Sequence, residues 1–104
     1  MTSVADIVAQ MQSKFNASAA AGLDLTFQFN IEDGDNHYVV VKDGACQIHQ
    51  GDAAESNVTL IMDSETMVGI MTGETDGMQA FMGGKLRAEG DMMLAMKLGE
   101  LFPV

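Results

Sequence analysis

Apolar residues Val4, Ile7, Val8, Met11 and Phe15 recur at helical spacing near the start of the chain. Ser3 precedes them as a capping residue, and Asp6 sits at the third helical position, where a carboxylate suits the helix dipole. An amphipathic helix over 3–16 is the prediction. After the small residues 17–22 the period shortens to two. Leu23, Leu25, Phe27, Phe29 and Ile31 alternate with Asp24, Thr26, Gln28 and Asn30, the signature of a strand with one wet face. A turn over 32–36, the β-branched run 37–42, the hairpin dipeptide Asp43-Gly44 and the segment 45–50 predict two more strands. The polar loop 51–57 leads to Val58, Leu60 and Met62, which alternate with Thr59 and Ile61 in a fourth strand.

Asp63-Ser64 then reads as a helix cap. Met67, Val68, Ile70 and Met71 form the apolar face of a short helix that Gly73 terminates in the left-handed conformation. A second short helix opens at Asp76, with Gln79 three residues on as a capping box, and closes at Gly83-Gly84. Residues 85–89 predict a fifth strand, with Leu86 and Ala88 facing one way and Lys85, Arg87 and Glu89 the other. Gly90-Asp91 turns the chain into a last helix over 92–102, whose charged positions are only Lys97 and Glu100. A helix so apolar is buried on several sides, or shares a side with a ligand or partner. Strands and helices come in segregated runs without a linker or repeat, so the class is α+β and residues 1–104 are expected to form one domain.

Charge narrows the partners. Fifteen acidic residues against five basic ones give a formal charge of −10, a field that repels phosphates. Nucleic acid and strongly anionic bilayers are poor partners for it. No apolar run approaches the roughly 20 residues of a membrane span, so stable membrane insertion is not expected. Residues 1–11, interrupted by Asp6 and Gln10, do not read as a signal peptide. The single cysteine, Cys46, can form no internal disulfide, which suits a reducing compartment and points to the cytoplasm. The C-terminal residues do not form a peroxisomal Ser-Lys-Leu-like tail.

Local support for catalysis is missing. Cys46 and His49 are three apart on a strand and point to opposite faces. Gly84-Lys85 does not close a phosphate loop, because Gln79 stands where that loop needs glycine and Leu86 where it needs Ser or Thr. His37 beside Glu32, Asp33 and Asp35 invites a metal, but Asp33-Gly34-Asp35 lacks the later oxygen ligands of a calcium loop. A solvated turn is the simpler reading. No enzyme activity, metal or cofactor is expected.

The segment 58–98 carries a set of separated matches: Asn57 to Leu60, Gly84-Lys85-Leu86, Gly90-Asp91 and Ala95-Met96-Lys97-Leu98. In these elements the chain resembles the sterol carrier protein family. The resemblance implies a five-stranded mixed sheet covered on one face by helices, with an apolar tunnel between the layers. It also implies non-covalent binding, and possible transfer, of fatty acids, acyl-CoA, sterol-like or other apolar lipids. Ten methionines, eight of them between positions 62 and 96, suit such a wall, since methionine repacks around ligands of different shape. The expected lining is Met71, Met78, Phe81 and Met82, then Met93, Met96 and Leu101 on the last helix, with Phe27 and Phe29 from the sheet. Many acyl-CoA-handling members of the family are basic, so the acidic field here is expected to disfavour a nucleotide headgroup. The alternative is an interaction module, in which helix 92–102 docks on a second copy as a homodimer, or on a partner enzyme to which a lipid intermediate is presented.

Overall fold

The sheet is built outwards from its central strand, which buries its apolar side chains on one face. The structure is a computed structural model that describes residues 4–102. Its elements in chain order are α1 (Val4–Lys14), β1 (Asp24–Ile31), β2 (His37–Lys42), β3 (Ala45–Gln50) and β4 (Val58–Met62), followed by α2 (Ser64–Thr72), α3 (Gly77–Met82), β5 (Arg87–Gly90) and α4 (Met92–Leu101). The strands lie in the order β3-β2-β1-β4-β5. β1 and β4 run parallel, with Phe29 opposite Leu60, and the other pairings are antiparallel. The α+β class is as the residue pattern predicts, and the mixed five-stranded sheet is as the resemblance to the sterol carrier protein family implies.

Alternation decides which face is covered. Leu25, Phe27, Phe29 and Ile31 of β1 are buried, as are Val39 and Val41 of β2, and Val58, Leu60 and Met62 of β4. Ile7 and Met11 of α1, Met67 of α2, and Leu98 and Leu101 of α4 join them in one core. Complete burial of an aromatic or aliphatic side chain stabilises by roughly 1.5–3 kcal/mol, so this face holds the layers together. The ends of α1 and α4 are stitched: Asn16 N donates to Leu101 O at 2.8 Å, and the rings of Phe15 and Phe102 lie 5.6 Å apart. The Asp43-Gly44 hairpin has positive φ at both residues, 55° and 73°, as a tight right-twisted turn requires.

Two boundaries and the burial of one side chain differ from the sequence reading, each for a hydrogen-bonding reason. α1 stops at Lys14 because the Asn16 amide is taken by α4, and the Asn16 side chain accepts from Ser18 N and Ala19 N to start a turn. β5 begins at Arg87 because the amides of Lys85 and Leu86 are both spent on Ala80 O, at 2.9 and 3.1 Å. Gln28, on the face expected to be wet, is only 6% exposed. Its Oε1 accepts from Ala53 N at 2.8 Å, and its Nε2 faces Asp52, Asn30 and the carbonyls of His37 and Gly51. The 51–57 loop therefore folds back over the sheet. The Ser3 cap and the C-terminal tail residues lie outside the described residues.

Candidate functional site

Where α2, α3 and α4 meet β4 and β5, the layers do not close on one another. They leave a cavity of about 680 Å³. Its sheet side is Phe29, Leu60 and Met62, with Leu86 and Ala88 from the last strand and its approach. Ile70 and Met71 of α2 and Met78 and Phe81 of α3 form one wall; Ala95, Met96, Leu98 and Phe102 on and just after α4 form the other. The nearly all-apolar character of α4 is thereby explained. One side of that helix enters the core through Leu98 and Leu101, another lines the cavity through Ala95 and Met96, and Met93 faces outwards, 73% exposed.

Helix caps and one close approach hold the walls in place. Asp63 caps α2, accepting from Thr66 N at 2.8 Å, and Gly73 ends it with φ 82°. Asp76 caps α3 through Met78 N, and Asp91 caps α4 through Met93 N, each at 2.9 Å. Thr75 N donates to Gly69 O at 2.9 Å, and a Cβ at Gly69 would collide with the Thr75 hydroxyl, so glycine lets the α2–α3 link press against α2. Ala80, buried at the centre of α3, receives the Lys85 and Leu86 amides and pins α3 to the start of β5.

The lining has little polarity. Apart from Thr75 and Asp76, both at the α2–α3 link, and glycines 73, 77 and 99, every lining residue among those described is apolar. Lys85, Arg87 and Lys97 stay outside it; Arg87 reaches Glu32 at 3.6 Å on the surface. The carboxyls whose titration the fold clearly shifts lie elsewhere. Hydrogen bonds from the Thr66 side chain and backbone hold Asp63 below the ordinary Asp value, and those from the Ser64 backbone and hydroxyl do the same for Asp33.

Of the nine residues expected in the wall, the structure brings five together at the cavity: Phe29, Met71, Met78, Phe81 and Met96. Phe27 and Leu101 are completely buried in the core and do not reach it. Met82 and Met93 are 80% and 73% exposed and point away. Sequence reasoning missed the apolar residues Leu60, Met62, Ile70, Leu86, Ala88, Ala95, Leu98 and Phe102, and the polar pair Thr75 and Asp76. For Leu60 and Met62 the signal was present, since they alternate like Phe29 and share its face, but only the parallel register sets Leu60 beside Phe29.

The side chains weighed in the sequence for catalysis and metal binding are held apart or engaged elsewhere. Cys46 is buried while His49 is exposed on the opposite face of β3, and desolvation raises the Cys46 thiol above its usual range. Both Asp33 oxygens accept from Ser64, at 2.7 and 2.8 Å. Among the described residues no group of three His, Cys, Asp or Glu could hold a metal ion, and no helix is long and apolar enough to cross a membrane.

Comparison with known proteins agrees with this geometry. Residues 5–103 match the family model of the SCP-2 sterol transfer family. The chain is 31% identical over 94 residues to hydroxysteroid dehydrogenase-like protein 2 of Xenopus tropicalis, covering 88% of this chain and 22% of that protein. It is 34% identical over 80 residues to sterol carrier protein 2 of Bos taurus, covering 72% and 15%. It thus spans about a fifth or less of the length of these relatives. Palmitated SCP2L2 from Aedes aegypti superposes with a TM-score of 0.77 at 26% identity, covering 99% of this chain and 96% of that one. With a family model matched over nearly its whole length and a similar fold in a lipid-loaded relative, the chain belongs to the SCP-2 sterol transfer family.

Proposed function

We propose that residues 1–104 act as one lipid-binding unit that encloses a single apolar molecule without covalent chemistry and passes it on by release. The observation that carries this reading is the apolar cavity of about 680 Å³ between sheet and helices. That volume lies within the roughly 300–1,000 Å³ typical of small-molecule sites. Met62, Met71, Met78 and Met96 on its walls favour ligands of varied shape, because an unbranched thioether adapts its rotamers at little cost. Affinity would come from apolar burial at about 25 cal/mol per Å² less the cost of ordering ligand and wall. The palmitated relative supports a long-chain lipid as occupant, and a lone buried cysteine is in keeping with a reducing, cytoplasmic setting.

A second reading rests on Met82 and Met93, large apolar side chains that are exposed and outside the cavity. They favour a module that docks on a partner enzyme, or on a second copy, and presents its lipid there. Native mass spectrometry of protein purified from its own host, followed by organic extraction, tests the first reading. A stoichiometric lipid supports the carrier. Protein that arrives empty and takes up no fluorescent lipid overturns it and leaves the docking module.

A further inference from the structure

We infer that the cavity selects an uncharged, hydroxyl-bearing long-chain lipid over the corresponding carboxylate, with Asp76 as the specificity-determining residue. The inference rests on the reading of this cavity as a lipid site, and concerns the headgroup that site accepts. An amphiphile buries its chain and leaves its headgroup at the polar rim. Among the described residues the polar side chains of the lining are those of Thr75 and Asp76, adjacent on the α2–α3 link, and Asp76 is exposed, so the headgroup is placed there. Among the described residues no lysine or arginine lines the cavity, so a carboxylate or phosphate headgroup would meet no cation to pair with.

The two polar residues present acceptors. Asp76 uses Oδ1 to cap α3 at Met78 N, and among the described residues no hydrogen bond engages its Oδ2 or the Thr75 hydroxyl. A ligand hydroxyl can donate to Asp76 Oδ2, whereas the Thr75 hydroxyl packs against Gly69 of α2. A ligand carboxylate cannot donate, and it faces a like charge. Two unit charges about 4 Å apart in water disfavour each other about fivefold in affinity, and the formal charge of −10 on the whole chain acts in the same direction.

The test compares 1-hexadecanol with palmitate, which share a chain length and differ in headgroup, by displacement of an uncharged fluorescent lipid at neutral pH and low salt. The expected result is hexadecanol binding about fivefold or more tightly, with the ratio falling in Asp76→Asn, since asparagine caps a helix as well as aspartate does. Glu55→Gln removes the same charge from the exposed 51–57 loop and should leave the ratio unmoved, which separates a local effect from net charge. Equal or tighter palmitate binding, or a ratio unaltered in Asp76→Asn, overturns the headgroup inference while the carrier reading stands. Failure of both lipids to bind overturns the two together.

Discussion

Single positions show how an apolar residue type can serve three different purposes in one protein. Phe29 is completely buried, yet its ring also forms part of the cavity, whereas Phe27, two residues earlier on the same face, meets only core. On α4, Met93 and Met96 are both largely exposed, at 73% and 65%, but only Met96 lies on the lining. The pair therefore separates binding from folding. Met96→Glu is expected to change stability by no more than about 0.5 kcal/mol, as for an exposed site, and to weaken lipid binding roughly tenfold by setting a carboxylate against an apolar ligand. Met93→Glu should alter neither. Thermal melts and a fluorescent-lipid titration of both variants check this, and equal losses of affinity would show that Met93 also reaches the ligand.

At the scale of elements, the helices depend on aspartate caps more than on length. α2 is nine residues and α3 six, too short to be stable alone in water, and both start from an aspartate that the sequence announces. Asp63→Ala should destabilise the protein by about 1 kcal/mol at neutral pH. The pH dependence follows from the direction of the shift. Hydrogen bonds from Thr66 place the folded Asp63 below its ordinary value of 3.8. Its contribution is thus fully present above pH 3.8 and is lost as pH falls through the lower, folded value. Urea denaturation at a series of pH values should show a constant gap between wild type and Asp63→Ala from pH 8 to about 5, closing in the acid limb below about pH 4. A gap that widened on acidification would contradict the cap assignment.

For the molecule as a whole, charge and shape act on ligand choice together. The cavity accepts an apolar chain, while the field of a chain with fifteen acidic and five basic residues opposes polyanions. Palmitoyl-CoA, with its phosphates, should therefore bind more weakly than palmitate at low ionic strength. The difference should shrink as salt is added, because screening acts within about 10 Å at 0.1 M. Isothermal titration of both ligands across a salt series measures this, and a salt-independent preference for palmitoyl-CoA would exclude the electrostatic account.

Much of this protein was legible in its sequence because local rules leave few alternatives. A period of two buries one face of β1 and β4, Asp43-Gly44 demands a hairpin, and Asp63 and Asp76 can satisfy the free amides of the helices that follow them. Those signals act between neighbours in the chain, so they determine the elements, their order and their apolar faces. The cavity wall was decided elsewhere. Whether an apolar residue on the right face meets core, cavity or solvent depends on where another element stops, as Phe27, Met82, Met93 and Leu101 illustrate. The strand β5 likewise yields its first two expected residues to Ala80 O, a bond across the end of α3. Burial and hydrogen bonding among distant segments are properties of the packed chain, and only its tertiary structure could apportion them.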